Sequence, residues 1–496
     1  VVLDATIVNV AMPSIERSIG FSPVDRQWLV TAYSLSFGSV LFLGGRLSDV
    51  IGRKTTLQIG LLGFALASAL GGAAQNFGML VTARAIQGTF GAVLAPAALA
   101  MVTTTFTDRA ERGKAFGIYG SIAGAGAGIG LLLGGVLTTY LDWRWTMYVN
   151  LIFAGIAVLG TQVLLPRERG TAKRGLDLVS TLLISSGLFA IVYGLSDAAT
   201  NATNAQTSLT PISLASAFGT TTTVVCLVLG VVLVGLFVRR QARIERPMLP
   251  LAIVTDRARG GSLLAIFLAA SSMFAVFLFL TFFLQYVKGY SAMGAGLAFL
   301  PMVVVLSVVA ASASTILLPR VGPRALTPVG MAIGAVGMWT FTRLQPDASY
   351  LSHVLPGLLI TGVAMGLVFA TSMNTATTGV PPEFAGSASA SVNVTQQVGG
   401  SIGTALLSTV SIAALVASTQ SFLRAAAAAH AHVSPADLAV ARNLAQVHGY
   451  TRAFWWGTII FAIGAIATAV ILPSNVRPAA SHAVPDAEPE PELVSV

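Results

Sequence analysis

Long apolar runs recur through this chain, and its charged residues gather in the short segments between them. One such segment, GGRLSDVIGRKTT (44–56), places an aspartate and three cations between WLVTAYSLSFGSVLFL (28–43) and LQIGLLGFALASALGGAA (57–74). A typical globular protein has roughly 25% charged residues, whereas this chain has 9% charged and 55% hydrophobic residues. Because so few charges cannot cover a surface in contact with water, the sequence predicts an integral membrane domain.

The apolar runs predict an all-α membrane protein with fourteen transmembrane helices. Backbone polar groups must be satisfied within lipid, and the runs are too long and uniformly apolar for barrel strands. The first run is shorter than the roughly 20 residues of a full span, so we expect a truncated first helix and a short cytoplasmic leader upstream. The predicted spans are 1–15, 27–46, 55–75, 78–104, 114–138, 145–165, 177–197, 215–238, 261–284, 292–318, 325–345, 353–374, 386–417 and 452–472.

The distribution of Lys and Arg predicts the orientation of these spans. With the amino terminus inside, eighteen Lys and Arg fall in the inner loops and eight in the outer loops. Cytoplasmic loops carry such an excess, so both termini are predicted to be cytoplasmic in a multi-pass membrane protein. The net charge of +9 is explained by these loops, and we expect no nucleic-acid partner because the cations do not form one patch.

The spans divide the chain into a 6+2+6 arrangement. We predict an N-terminal six-helix bundle over 1–166, two linker helices over 167–240, and a C-terminal six-helix bundle over 241–475. The second bundle includes an outer loop over 419–450, partly helical and capped by Ser434, and the acidic tail 476–496 is predicted to be disordered. LLPRVGPRAL (317–326) faintly repeats RLSDVIGRKTT, and internal repeats of this kind indicate a transporter.

The charged segment 44–56 predicts a conformational latch. Gly45 permits close helix approach, and Asp49 can accept backbone N–H groups at a facing helix start, where the helix dipole favours an anion. Asp49 can also pair with a cation, and a contact of this type can hold one conformation and release in the other. The alternative is a charged loop that only fixes topology. The latch residues are Gly45, Asp49, Gly52, Arg53 and Lys54.

Five stretches carry a resemblance to a known family. GGRLSDVIGRK resembles the cytoplasmic signature of the major facilitator superfamily, and LDATIVNVAMPSI (3–15) resembles the first-helix motif of its fourteen-helix drug/proton antiporter branch. ARAIQGTFGAVLAPAAL (83–99), DWRWTMYVNLIF (142–153) and VNVTQQVGGSIGTALLSTV (392–410) are similar to further motifs of that branch. The resemblance implies a two-bundle, alternating-access fold with two extra helices.

Asp4 and Arg84 are the predicted coupling residues. An ionisable group inside a span is costly and usually functional, although Asp4 could instead lie solvated near a helix end. Arg84, Gln87, Gly88 and Gly91 share one helix face by their spacing. The resemblance implies that Arg84 points inward and favours deprotonation of a nearby carboxylate; the alternative is snorkelling to the outer surface.

Polar and aromatic residues of both halves are candidates for a substrate cavity. The face formed by Asn393, Gln396 and Gln397 can bind substrate or join two helices, and both interpretations stay open. Five phenylalanines in 271–286 could line the same cavity, although packing against lipid or neighbouring helices is the commoner role. The predicted cavity residues are Asn9, Tyr33, Phe37, Gln87, Asn393, Gln396 and Gln397, and the five phenylalanines are Phe274, Phe277, Phe279, Phe282 and Phe283.

The stretch GSIAGAGAGIGLLLGG (120–135) resembles the fifth-helix antiporter motif with one departure. Leu131 stands where the branch usually has proline, so the proline kink is absent. The glycines still permit close helix packing. The packing residues are Gly126, Gly130, Gly134 and Gly135.

Together with these features, the resemblance implies a proton-coupled exporter of amphipathic or cationic drugs across the bacterial inner membrane. A transporter of lipids or cell-envelope precursors on the same fold is the second hypothesis, and a membrane sensor without transport is the third. The expected partners are amphipathic small molecules or lipids and the surrounding membrane lipids. We expect a monomer driven by the proton gradient, with no cofactor, metal or enzymatic activity.

Overall fold

The computed structural model describes residues 2–21, 26–106, 108–165, 177–208, 213–244, 247–381, 384–428 and 434–473. Over these ranges the chain is helical, without β-strands. The predicted boundary at 166–167 and the tail 476–496 lie outside the described residues. The first half consists of α1 (Val2–Ile19), α2 (Arg26–Ile51), α3 (Arg53–Gly72), α4 (Phe77–Thr105), α5 (Arg109–Tyr140) and α6 (Trp145–Leu164).

The linker and the second half follow in chain order. The linker consists of α7 (Leu178–Ser208), a short α8 (Leu214–Phe218) and α9 (Thr221–Gln241). The second half consists of α10 (Leu251–Thr255), α11 (Arg257–Phe282), α12 (Ala292–Ser312), α13 (Leu318–Val321), α14 (Pro323–Phe341), α15 (Leu355–Thr377), α16 (Ala385–Ala428) and α17 (Pro435–Ile471). Single π-helical turns extend α11 over Phe283–Val287 and α12 over Ala313–Leu317, and a third leads into α15 over Tyr350–Val354.

Every predicted apolar run falls on a long helix. Within the described part of the chain, eleven helices are long and apolar enough to cross a membrane. The helices α1, α5 and α14 are not among them, so the number of fourteen spans remains a prediction. The multi-pass, all-helical character predicted from the apolar runs is confirmed.

The two halves meet mainly where α5 packs on α12 and where α2 packs on α16, with further contacts of α4 with α16 and of α5 with α15. Small residues make these contacts close. A Cβ atom on Gly117 of α5 would lie 3.0 Å from the Cα of Ala311, and one on Gly135 would lie 3.2 Å from the Cα of Met293. Helices in lipid associate largely through such close backbone packing, and the buried Phe116 and Leu99 of the first half also pack against Ile266 of the second.

The linker helices α7 and α9 pack against each other, and α7 also contacts α2 and α16. Near the start of α9, the half-buried Asp197 of α7 accepts hydrogen bonds from Thr220 (3.1 Å), Thr223 (2.5 Å) and Asn201 (3.3 Å). Thr220 is also the N-cap of α9. This acid, which the sequence reading did not single out, therefore joins the two linker helices at the start of α9.

At the start of the linker, Asp177 pairs with Arg240 of α9 at 3.2 Å. Burial acts to raise the pKa of Asp177, but hydrogen bonds from Ser180 and Arg240 and the charge of Arg240 outweigh it, so the pKa lies below its ordinary value. A lowered pKa gives stability that is present above the unfolded value of about 3.9 and is lost as the pH falls through the folded value.

We expect the substitution Asp177→Asn to lower the unfolding temperature at pH 7 and to lower it less near pH 3, because the contribution of the ionised carboxylate is lost as the pH falls through its lowered pKa. The effect should be small, because exposed ion pairs contribute only about 0.2–1 kcal/mol. Thermal unfolding of the two purified proteins in detergent at both pH values checks this. If the variant and the wild type differed in unfolding temperature by the same amount at both pH values, the stabilisation by Asp177 would not be electrostatic.

The predicted outer loop 419–450 is mostly helical in the structure. Helix α16 continues to Ala428, and α17 begins at Pro435 with Ser434 as its N-cap. The hydroxyl of Ser434 accepts the Asp437 backbone N–H at 3.2 Å, and the Asp437 carboxylate in turn accepts the Ser434 backbone N–H at 3.1 Å. The predicted cap is therefore confirmed, while the loop is shorter than the sequence suggested because both spanning helices project beyond the apolar run.

Candidate functional site

Asp4 lies fully buried inside the first half, where it forms an ion pair with Arg84 of α4. The Arg84 Nη1 atom lies 2.7 Å from Asp4 Oδ2, and the arginine side chain is 3% exposed. Neither side chain is near bulk water, so the solvated and snorkelling alternatives do not describe this conformation. Separating such a pair is costly, because either charge left alone would be buried without compensation.

Three amide and hydroxyl side chains complete the surroundings of Asp4. Its Oδ1 atom accepts hydrogen bonds from Gln87 Nε2 at 2.8 Å and from Asn150 Nδ2 at 2.7 Å. Gln87 also donates to Ser68 Oγ at 2.7 Å and accepts from Arg84 Nη1. We call Asp4, Ser68, Arg84, Gln87 and Asn150 the carboxylate network. Four helices, α1, α3, α4 and α6, contribute to it, so a change at Asp4 acts on the packing of the whole half.

Glycines bring α4 close enough to α2 for Arg84 to reach the core. A Cβ atom on Gly88 would lie 2.6 Å from the hydroxyl of Ser36, and one on Gly91 would lie 3.2 Å from the Phe37 ring. Arg84 Nε consequently comes within 3.4 Å of the Leu29 carbonyl oxygen. The small, polar face predicted for α4 is the face that packs against α2.

Tyr33 of α2 connects the network to its surroundings. The Arg84 guanidinium carbon lies 4.4 Å from the centre of the Tyr33 ring, within the range of a cation–π contact. Tyr33 also stacks on Phe37 with ring centres 5.7 Å apart. Its buried hydroxyl has no hydrogen-bond partner among the described residues. A movement of the Arg84 side chain, or the loss of its counter-charge, would therefore change its interaction with the Tyr33 ring.

The glycines of α5 hold α1, and with it Asp4, in place. A Cβ atom on Gly130 would lie 2.7 Å from the Leu3 carbonyl oxygen, and one on Gly134 would lie 3.0 Å from the Ile7 carbonyl oxygen. Gly126 is looser, with its nearest atom at 3.9 Å. Gly135 faces α12 of the other half instead. The side chain of Leu131 falls outside the described part of the chain.

The predicted latch joins the two halves. Asp49, buried at the end of α2, accepts the backbone N–H of Gly386 at 2.9 Å and the hydroxyl of Ser387 at 3.3 Å. These residues form the first turn of α16, so the predicted contact with a facing helix start is confirmed. Arg53 lies near enough to act on the Asp49 charge, and Gly52 has a φ of 94°, which glycine tolerates.

Lys54 has a different partner from the rest of the latch. Its ammonium group donates to the carbonyl oxygens of Leu165 at 2.5 Å and Gln162 at 3.2 Å, at the end of α6. A cation at a helix C-terminus satisfies orphan carbonyls and opposes the helix dipole. Lys54 therefore stabilises the first half internally, whereas Asp49 connects it to the second half.

Gly45 limits how closely α2 and α16 can approach. A Cβ atom on Gly45 would lie 2.5 Å from the Gly386 carbonyl oxygen, so the latched conformation has no room for one. We expect Gly45→Ala to reduce the export that the sequence predicts about fivefold or more, because over-packing costs about 1–3 kcal/mol in the latched state alone. Efflux of ethidium from cells, normalised to folded protein, checks this.

The matched control is Gly155→Ala on α6, where an added Cβ atom would meet nothing within 4 Å. Efflux by this variant should equal that of the wild type. Wild-type efflux by Gly45→Ala would show that the close contact is not needed in the transport cycle.

The remaining predicted cavity residues lie apart from the carboxylate network. Asn393 donates to the Ser389 carbonyl oxygen of its own helix at 2.9 Å, and Gln396 and Gln397 are half-buried. A Cβ atom on Gly38 of α2 would lie 3.3 Å from the Gln397 side chain, so Gln397 lies at the contact between α2 and α16. The side chain of Asn9, on α1, falls outside the described part of the chain.

The phenylalanines of α11 belong to the core of the second half. Phe279 and Phe283 are buried there, with Phe277 and Phe282 packed against them, and Phe279 contacts Phe454 at a ring-centre distance of 6.3 Å. Tyr33 and Phe37 belong to a separate apolar cluster. The described contacts therefore favour the packing interpretation over a shared aromatic cavity. The Phe274 side chain lies outside the described part.

Two members of the network were missed by sequence reasoning, Ser68 and Asn150. Asn150 lies in the quoted stretch DWRWTMYVNLIF, where an amide within an apolar helix was an available signal. Ser68 carries no such signal, because serine occurs throughout the spans and only the packing of α3 on α4 brings it to Gln87.

This fold and site define a membrane transporter of two helical halves, and the comparisons agree with that class. The family model of the Major Facilitator Superfamily matches residues 1–404, so the chain belongs to this superfamily. The human organic anion transporter MFSD10 shares the fold, with a TM-score of 0.61, 14% sequence identity, and coverage of 94% of this chain and 96% of that one.

Bacterial relatives are considerably more similar in sequence. The puromycin resistance protein pur8 of Streptomyces alboniger is 45% identical over 475 residues, covering 95% of this chain and 88% of the relative. The cephamycin export protein CmcT of Amycolatopsis lactamdurans is 37% identical, covering 83% and 82%. The multidrug efflux pump LfrA of Mycolicibacterium smegmatis is 31% identical, covering 83% and 78%.

Proposed function

We propose that this protein exports amphipathic or cationic drugs across the bacterial inner membrane in exchange for protons, by alternating access. The observation that carries the proposal is the fully buried Asp4–Arg84 pair within a transporter half. Ionisable groups at such positions mark ion and proton pathways. The relatives bear the names of resistance and export proteins for antibiotics, which supports drugs as the cargo class.

The exchange follows from the charge balance between Asp4 and Arg84. An ionised Asp4 neutralises Arg84, so a cationic drug near Tyr33 meets no net repulsion. When a proton neutralises Asp4, the charge of Arg84 is unbalanced. At a separation of 8 Å and an effective dielectric constant of 20, it repels a monovalent cation by about 2 kcal/mol, which corresponds to roughly thirtyfold weaker binding. The proton therefore expels the drug without needing to touch it.

Asp49 controls the conformational change of the transport cycle. The contact of its carboxylate with the start of α16 closes α2 onto the second half. Release of this contact would open the cytoplasmic side for drugs arriving from the cytoplasm or the inner leaflet. This assignment of the latch to the cytoplasmic side follows from fourteen spans, which include α1, α5 and α14, with both termini in the cytoplasm.

The proposal is tested with purified protein in proteoliposomes that carry an acidic interior. Addition of tetraphenylphosphonium outside should dissipate the pH gradient faster than in protein-free liposomes, because each cation taken up is exchanged for an internal proton. A pH-sensitive dye in the lumen reports the rate. Tetraphenylphosphonium uptake without proton movement would contradict antiport, and neither uptake nor proton movement would contradict cation transport altogether.

A further inference from the structure

A cavity of about 490 Å³ lies between α2 and the two linker helices, separate from the carboxylate network. Small-molecule sites typically have volumes of about 300–1,000 Å³, so its size suits a drug-like molecule. The polar and aromatic side chains of its lining are Ser39, Ser185, Ser186, Phe189, Tyr193 and Cys226.

Close packing of α7 on α9 forms the back of this cavity. A Cβ atom on Gly187 would lie 2.9 Å from the Val234 side chain, one on Gly194 would lie 3.1 Å from Leu227, and one on Gly230 would lie 2.6 Å from Ile191. Phe189 and Tyr193 extend from the same helix α7 and stack with ring centres 6.1 Å apart. The cavity therefore has a firm wall and an aromatic surface.

The cavity lies at membrane depth and opens towards the bilayer. At 1.5 Å per helical residue, Ser185 lies about 10 Å and Tyr193 about 22 Å from the cytoplasmic start of α7, within a hydrocarbon layer of about 30 Å. Phe189 is 46% exposed and Leu229, which also lines the cavity, is 49% exposed on the outer surface of the bundle. A molecule dissolved in the bilayer can therefore reach the cavity sideways.

The chemistry of the lining selects among such molecules. Among the described residues, no charged side chain lines the cavity, so this lining offers nothing to balance an ionic ligand. Ser39 donates to the Leu35 carbonyl oxygen at 2.5 Å, but the buried Ser185 hydroxyl has no partner among the described residues. A plain acyl chain would leave this hydroxyl unpaired, which costs about 1–3 kcal/mol, whereas a ligand with a hydrogen-bonding group would satisfy it.

We propose that this cavity binds an uncharged amphiphile that carries a hydrogen-bonding group and is drawn from the bilayer. The inference rests on the proposed function, for which the cavity supplies a lateral holding site for neutral cargo. Its position supports this role, because Gly38 of α2 contacts both Val192 of α7 and Gln397 of α16. The cavity thus adjoins the contact through which the two halves separate.

The only cysteine of the chain, Cys226, lines the cavity and reports on its occupation without any engineered label. Purified protein in proteoliposomes is treated with N-ethylmaleimide, and the rate of Cys226 modification is followed by mass spectrometry. Chloramphenicol, which is uncharged and carries hydroxyl and amide groups, should slow the modification at least fivefold. Tetraphenylphosphonium at equal concentration should not.

A pair of serine substitutions on α7 tests the hydrogen bond. Ser185→Ala should raise the chloramphenicol concentration for half-protection about fivefold, the equivalent of one lost hydrogen bond. Ser196→Ala, on the same helix but not part of the lining, should leave it unchanged. Equal protection of the Ser185→Ala variant and the wild type would overturn the assigned hydrogen bond.

The remaining outcomes separate this inference from the proposed function. Protection is measured without a proton gradient, so it can be observed even if no proton exchange occurs. Proton-coupled efflux with unprotected Cys226 would overturn the cavity assignment alone. A phospholipid that co-purifies in the cavity and is not displaced by chloramphenicol would also overturn it, since the site would then be a lipid site.

Discussion

The substitution Asp4→Asn should abolish proton-driven efflux, reducing it to the level of membranes that lack the protein. In the proposed exchange cycle a proton binds Asp4, and the carboxamide cannot bind it; the carboxamide also leaves the Arg84 charge permanently unbalanced next to the proposed drug position. Efflux of ethidium from everted membrane vesicles, energised by respiration, measures this. Because the variant also loses the counter-charge of Arg84, efflux is normalised to the amount of folded protein.

The matched control is Asp347→Asn, an exposed carboxylate in the connection between α14 and α15. The control should transport as well as the wild type, because Asp347 is remote from the carboxylate network in the fold. Wild-type efflux by a folded Asp4→Asn variant would eliminate the proposed coupling, whatever the behaviour of the control.

The largest expected loss of stability follows Arg84→Ala. This substitution leaves the Asp4 carboxylate buried with its two amide donors but without a counter-charge. Breaking a buried ion pair in this way typically costs about 3–5 kcal/mol, and the loss of the Tyr33 contact adds to it. The double variant Asp4→Asn/Arg84→Gln removes both charges together and should recover most of the loss.

Thermal unfolding in detergent, followed by far-UV circular dichroism, measures these differences. The matched control is Arg343→Ala, since Arg343 also stacks on an aromatic ring, that of Trp339 at 3.9 Å, but is exposed. It should change stability by less than about 1 kcal/mol. A double variant that is no more stable than Arg84→Ala would show that charge balance is not what the pair provides.

The sequence predicted the features that depend on local pattern. Apolar runs of sufficient length fixed the long helices, since an unpaired backbone is not tolerated in lipid. The spacing of Arg84 and Gln87 on α4 placed both on the face that reaches Asp4. The contact of Asp49 with the start of a facing helix could be predicted because a buried carboxylate has few other suitable partners.

Features that depend on which helices become neighbours could not be predicted in this way. The partnership of Asn150 with Asp4 joins residues 146 positions apart and exists only because α6 packs near α1. The cavity of the linker depends on gaps between α2, α7 and α9 that no single helix encodes. The apolar pattern of α11 was equally compatible with a cavity wall and a packed core, and the neighbours of Phe279 and Phe283 favour the core.

The most direct measurement of the central claim is proton release upon drug binding. Purified protein is held in weakly buffered detergent solution at a series of pH values, tetraphenylphosphonium is added, and the protons released are measured. If proton and cation exclude each other at the Asp4–Arg84 pair, binding to the protonated wild type should release about one proton per cation, and Asp4→Asn should release none. Tight cation binding to the protonated wild type without any proton release would contradict the account.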